Sequence, residues 1–510
     1  MIKIIRRPSV IAVLILLILS SILWPVLLSN LYMISVGDAE LYYSRQDYED
    51  RLKNVNDDIG NAADYTSAET VSIDVNGTVK DVPMTLYSAD YDQVNALAYK
   101  ECFEDILANY DFEKYPIGKT WLSYMAAQQY TVFNQNYYQM NLDPVEERDA
   151  AWLSNYETMG KAVESMRKAL MQHEYDAYRE AFILSGKAIN VDYSGEAENV
   201  SRLAATDPNG ELGYFEGEYL VGYYTQIADK KENLDTGMGY SFDLPRILTE
   251  EKKVQTANGI KILEYKILKH NTYDQDSQAA VEVITITREI NQFVLIILLI
   301  LIAGSSVSQE MATGSIKSLI IAPVRRWKIF TAKLMSIVTW MLAASVIMSL
   351  FVFISIGCCF GFGKIPTYLF VAGGKVAEMP FIFYLILSDL VKNIWIFFYT
   401  LVAFMISCFT KNTGVSVGIS VGMLLAHSMP QYFVDTKLPR VFLEFTPYAN
   451  MNLVSQCFPY ADLMFAQEGV SLFDNISIDN PLWFSIAYVV ILTFIVLLIA
   501  YDEFTRKDIQ

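Results

Sequence analysis

The side chains able to do chemistry are few and scattered. The chain has three histidines (His173, His270 and His427) and five cysteines (Cys102, Cys358, Cys359, Cys408 and Cys457) among 510 residues. Neither type clusters at metal-ligand spacing, and the cysteines are too few and too dispersed for a disulfide framework. The tripeptide Gly118, Lys119, Thr120 resembles the end of a phosphate-binding loop. That loop needs a glycine five residues before the Gly-Lys pair, where Glu113 stands. The pair His173 and Glu174 lacks the second histidine four residues on that a zinc helix requires. No nucleophile elbow or Ser/His/Asp arrangement is readable. The chain is expected not to be an enzyme and to need no cofactor or metal.

Two polar groupings interrupt apolar sequence. Asp389 and Lys392 stand three residues apart in the run 380–409, so on a helix they share a face and can pair. Charge inside a span is costly and marks function, which reads the pair as part of a substrate pathway. The other reading makes 381–387 a shallow interfacial helix, with the span starting near Asn393 and the pair serving as an anchor. The second grouping is the connection 309–333, with Lys317, Arg325, Arg326, Lys328 and Lys333 against Glu310 alone. Topology by itself makes a short cytoplasmic loop basic. The punctuation asks for more: Gly314 permits a backbone break, residues 315–321 have room for about two helical turns, and Pro323 stops them. Ile316, Leu319 and Ile320 would share one face of that helix.

The elements that position these residues follow from composition. The chain is 53% hydrophobic, with the apolar residues gathered at the start and in the last 220 or so positions. Six runs approach the ~20 residues that a bilayer core requires: 9–37, 290–308, 334–357, 380–409, 414–433 and 481–501. The first could be a cleaved signal peptide, but it is about twice the length of such a core and shows no clear cleavage site; it reads as a retained span. Residues 37–288 carry 23 Lys+Arg against 44 Asp+Glu, whereas the whole chain has a net charge of −18. An acidic block and basic membrane connections are what the positive-inside bias produces, so 37–288 is expected outside the cell and both termini inside. The acidic balance also argues against nucleic-acid binding.

Within the exterior block, Asn76 and Gly77 between alternating segments of 71–86 predict a hairpin. Helical spacing covers 40–61 and much of 90–186, as in Leu97, Cys102, Ile106 and Tyr110, or Trp152, Tyr156, Met159 and Val163. Further helices are expected at 248–257 and 260–268, and one at 278–288 that runs into the second span. The fold class is an α-helical integral membrane protein: six transmembrane helices and a large, mainly helical extracellular domain with a small β element. Its divisions are 1–36, 37–288 and 289–510.

Glu310, Gly314, Ser315, Lys317, Leu319, Pro323, Arg325, Arg326, Ile329 and Lys333 together resemble the intracellular loop of ABC-2 type transporter permeases. The ending Phe504, Thr505, Arg506, Lys507, Asp508, Ile509 is similar to how many such permeases stop. The resemblance implies the membrane subunit of an ATP-driven exporter, working with a second permease subunit (the same chain or another) and a separate cytoplasmic ABC ATPase. It also implies that Glu310, Gly314, Lys317, Pro323, Arg325 and Arg326 lie in the coupling-helix region that docks on the ATPase. Ser315 stands where threonine is usual, and the amphipathic entry helix of the family is missing or very short. The large exterior block resembles the enlarged regions of some Gram-positive members. The rival reading is a non-transporting surface receptor or secretion scaffold that uses the acidic domain.

Overall fold

The computed structural model describes residues 8–37, 43–60, 69–75, 78–84, 91–143, 147–241, 244–269, 275–314, 325–365, 367–410, 412–426, 445–451, 453–464 and 480–506. It is mostly helical and divides into two compact units. One comprises Val36–Asp229 with Lys266–Asp274, the other Met1–Ser35, Lys230–Tyr265 and Gln275–Gln510. Lys230–Tyr265 thus groups with the apolar helices.

The first unit contains α2 (Arg45–Gly60), the hairpin β1 (Glu69–Val75) and β2 (Thr78–Met84), and helices α3 (Tyr91–Asn109), α4 (Trp121–Gln139), α5 (Ala150–Gln172), α6 (Tyr175–Ile189) and α7 (Ser194–Thr206), with most of α8 (Tyr214–Thr236). Helix α1 is Pro8–Gly37. The hairpin stands where it was expected, with Val75 opposite Thr78; the turn residues 76–77 lie outside the described residues. Helical spacing reappears as burial: Cys102 and Ile106 on α3, and Trp152, Tyr156, Met159 and Met166 on α5, all face the core. One half-buried ion pair, Arg167 Nε to Asp105 Oδ2 at 2.7 Å, ties α5 to α3. Trp121 packs directly on Gly217, where a Cβ would collide with the indole, and its Nε1 donates to Glu218 Oε2 at 3.1 Å. Helices α4 and α8 approach this closely only because residue 217 has no side chain.

The residues with nominal catalytic promise serve this unit's packing. Thr120 is the N-cap of α4, its side chain accepting from the Ser123 amide. His173 is the left-handed C-cap of α5, its ring 4.0 Å from the Tyr115 ring centroid.

Lys266 lies on α9 (Glu250–Leu268), a single helix in place of the two expected at 248–257 and 260–268. It is 1% exposed, with its ammonium 4.5 Å from the Tyr223 ring centroid. Burial pushes its pKa down to about 7 from an ordinary 10.5. Between these values the unfolded chain binds more protons than the folded one, so this contribution to stability rises with pH across that window. Lys266→Met is expected to melt above the wild type at about pH 7, with the gap closing toward about pH 9.5. Differential scanning fluorimetry of the detergent-solubilised full chain measures it. A gap independent of pH would show that the amine does not titrate there.

The second unit holds α1, the hairpin β3 (Met238–Ser241) and β4 (Leu244–Ile247), α10 (Gln275–Ser306), α11 (Ser308–Ala312), α12 (Arg326–Phe360), the hairpin β5 (Tyr368–Ala372) and β6 (Lys375–Met379), α13 (Phe381–Phe409), α14 (Thr413–Ala426) and α15 (Leu482–Arg506). Among the described residues, four stretches are long and apolar enough to cross a membrane: Ala279–Ala312, Arg326–Phe360, Phe381–Phe409 and Leu482–Arg506. Ile15–Asn30 and Thr413–Ala426 are shorter apolar helices at the expected first and fifth runs. As expected, the helix preceding the second run continues into it without a break, as α10. The helices pack through aliphatic and aromatic side chains such as Ile296, Ile300, Met341, Phe404 and Ala500. At Gly304 the missing side chain admits Val417 of α14, whose Cγ2 would lie 3.0 Å from a Cβ there.

The β5–β6 hairpin was not foreseen. Its turn glycines, Gly373 and Gly374, take φ of 57° and 80°, the pair of positive values that a two-residue hairpin turn demands.

Candidate functional site

Two polar sites stand out in the apolar unit. The first is the break between α10 and α11. Where a helix stops, its backbone groups need new partners, and here two other helices supply them. The Val307 and Ser308 amides donate to Ser407 Oγ of α13 at 3.1 and 2.9 Å. The Ser306 carbonyl accepts from Lys333 Nζ of α12 at 2.9 Å. Lys333 also meets Glu310 Oε1 at 2.8 Å, with both side chains under one-fifth exposed (17% and 19%). Ser308 Oγ bonds the Gly304 carbonyl and lies 3.3 Å from Thr413 Oγ1 at the start of α14. The result is a joint in which the bend is hydrogen-bonded from outside its own helix.

Beyond the joint, Gly314 has φ +70° and open space around it, ending α11 in the left-handed conformation. Residues 315–324, which hold Lys317, Pro323 and the expected short helix, lie outside the described residues. Exposed Arg325 occupies the N-cap position of α12, without a side-chain capping bond. Arg326 Nη1 donates to the Thr505 carbonyl in the last turn of α15 at 2.7 Å, a favourable place for a cation at a helix C-terminus. Of the residues expected on a docking face, Arg325 and Gly314 are exposed, and Arg326 is half-buried and tied to α15. Glu310 is turned inward onto Lys333.

The second site is a polar layer across α10, α12 and α13. The expected Asp389–Lys392 pairing gives way to two cross-helix pairs. Arg288 Nη2 binds Asp389 Oδ1 at 2.7 Å, and Lys392 Nζ binds Glu289 Oε1 at 2.6 Å. Asp389 and Lys392 do share a face of α13. That face meets α10, where adjacent Arg288 and Glu289 offer each its opposite charge. Asp389 Oδ1 also accepts from Gln292 at 2.9 Å, and Oδ2 from Ser349 of α12 at 2.6 Å. Arg288 Nη2 further donates to Ser388 Oγ at 2.7 Å. Ser345 Oγ of α12 donates to Asn393 Oδ1 at 2.7 Å. Ser349 meets residue 389 and Ser345 meets 393, the register of antiparallel neighbours. At the next position along α10, Asn291 joins Ser20 and Ser21 of α1. All of α13 from Phe381 is one helix, with Phe381, Tyr384 and Leu385 buried, so no separate segment precedes the charged residues.

Sequence reasoning missed Arg288, Glu289, Gln292 and Ser407. Two adjacent charges at the mouth of an apolar run were a usable signal for the first pair. Ser407 carried none, since one serine in an apolar helix is unremarkable until its partner backbone is placed.

Residues 261–510 match a family described as "Protein of unknown function (DUF2705)". The chain is also similar to the uncharacterized protein YhcI of Bacillus subtilis (strain 168), at 25% identity over 216 residues, 41% of this chain and 63% of that protein. The matched region thus spans less than two thirds of the relative's length. No solved structure matches.

Proposed function

We propose that the chain is the membrane-spanning permease subunit of an ATP-driven ABC exporter. In this reading six helices cross the membrane, both termini and the 309–333 loop are cytoplasmic, and residues 37–288 face outward. A second permease subunit and a cytoplasmic ATPase complete the transporter. The observation that carries the reading is the joint at Val307. A loop pushed by a partner moves spans only if its base is firmly linked to them, and this base is bonded to α12, α13 and α14 at once. Exposed Arg325 and Lys328 in the first turn of α12, the helix that carries Lys333, supply a basic face for a soluble subunit.

The experiment is affinity purification of the tagged full chain from its native membranes, with ATP hydrolysis assayed in the eluate. An ATP-hydrolysing partner is expected, and the double charge reversal Arg325→Glu/Lys328→Glu is expected to cut its recovery by about tenfold. Recovery of the chain free of any ATP-binding protein would overturn the reading in favour of a surface receptor or scaffold.

A further inference from the structure

The β3–β4 ribbon carries an apolar face that the chain leaves uncovered. Its register sets Met238 opposite Ile247 and position 240 opposite position 245, and directly opposed residues stand on the same face of a two-stranded ribbon. Strand alternation joins the two pairs, because 238 and 240 are two residues apart, as are 245 and 247. One face is therefore Met, Tyr, Pro and Ile, whereas positions 239, 241, 244 and 246 of the other are Gly, Ser, Leu and Arg. Met238 is 41% exposed and Ile247 85%, the highest exposure of any large apolar residue among those described. The ribbon pairs with no further strand among the described residues. An isolated two-stranded hairpin is marginal in water unless something packs on it.

The ribbon's neighbours are the apolar helices. Lys230–Tyr265 groups with them, and the ribbon leads into α9 through the Leu248 amide, which donates to the Gly237 carbonyl at 2.9 Å. Ile262 of α9 is buried in one cluster with Val283 and Ile284 of α10, Val352 and Ile356 of α12, and Phe381 of α13. Val352 and Ile356 belong to the final turns of α12, and Phe381 opens α13. Helix α9 thus docks at one end of the spans, the level at which a bilayer gives way to headgroups. Composition changes in the same segment. Residues 37–229 hold 14 Lys+Arg against 35 Asp+Glu, whereas 230–269 hold 8 against 6. Anionic headgroups repel the first and not the second.

We propose that the face of the β3–β4 ribbon bearing Met238 and Ile247 lies in the headgroup region of the bilayer and anchors α9 to the lipid. Twelve positions separate Glu250 from Ile262 on α9, ~18 Å of helix, enough to carry the ribbon past the edge of the bundle to the surrounding lipid. Aliphatic side chains favour the acyl side of that boundary, and tyrosine is enriched at the boundary itself. The chain then holds the membrane at a point outside its spans. The anchor needs no ATPase, so its failure would leave the exporter reading untouched.

Photo-crosslinking tests it on the full chain in nanodiscs of phosphatidylglycerol and phosphatidylcholine. Ile247→p-benzoylphenylalanine and Met238→p-benzoylphenylalanine probe the ribbon. The same replacement at Leu498, 50% exposed on α15, is the lipid-facing reference, and at Val191, 45% exposed in the first unit, the reference away from lipid. After illumination, intact mass should show single-lipid adducts at 238 and 247, about tenfold above the yield at Val191. A phospholipid carrying a diazirine, used on the unaltered chain with the labelled peptides mapped by mass spectrometry, should mark 238–247 as well as α15, and needs no substitution. Two copies joined through position 247 in place of a lipid adduct would overturn the proposal in favour of a second chain. A ribbon labelled no more than Val191, or left unlabelled while α15 carries lipid, would overturn it outright.

Discussion

Asp389→Leu is expected to remove nearly all of the chain from the membrane fraction. The carboxylate accepts from Arg288, Gln292 and Ser349, drawn from two helices other than its own. Deleting it leaves the Arg288 guanidinium, 17% exposed, without its ion-pair partner, beside Ser388, the Tyr384 ring face and the Glu289 carboxylate that Lys392 already holds. Breaking a buried ion pair by removing one partner costs about 3–5 kcal/mol, which is much of the ~5–15 kcal/mol that holds a typical domain folded. The cost belongs to the stranded cation and not to the lost bond, and this separates two outcomes. Arg288→Leu/Asp389→Leu should regain most of the lost level, because a well-packed apolar replacement of a buried pair is often neutral. Immunoblots of membrane fractions and the melting temperature in detergent read both. A double variant no better than Asp389→Leu would mean that the layer acts through its hydrogen bonds to α12 and not through charge balance.

What could be read from the sequence follows from the range of the signal. Apolar runs, the continuity of 275–306 and the hairpin around residue 76 are local patterns, and each appears in the structure. The pairing of Asp389 was misread because its partner stands 101 positions away; spacing along one helix reveals a shared face but not what the face meets. The two halves of α9 were separated at Gly259, yet a glycine weakens a helix interior by only about 1 kcal/mol, and its neighbours Ile260, Ile262 and Leu263 are buried. Ser407 is the harder case. Its importance is created by a helix break a hundred residues upstream, and no property of the serine's own neighbourhood encodes that.

The joint at Val307 gives the second large effect, because one amine holds two elements. Lys333 neutralises Glu310 and caps the Ser306 carbonyl, so Lys333→Met removes a charge partner and a donor in one step. The pair is partly exposed, which places the cost between that of a surface bridge and that of a buried one, about 1–3 kcal/mol. Glu310→Gln should cost less, since Lys333 keeps the Ser306 carbonyl. The double variant should cost less than the two singles added, because the residues share one interaction. A double-mutant cycle on melting temperatures measures the coupling, and strict additivity would show that the two side chains act independently. Under the exporter reading the same lysine has a second consequence. With Lys333 gone, Glu310 of α11 loses that ion pair to α12, while the Ser407 contacts to α13 remain. ATPase recovered with the chain should then persist, since exposed Arg325 and Lys328 are intact, but ATP should no longer alter the protease sensitivity of the helical unit. Loss of the ATPase itself would instead make Lys333 part of the docking face, in conflict with its burial against Glu310.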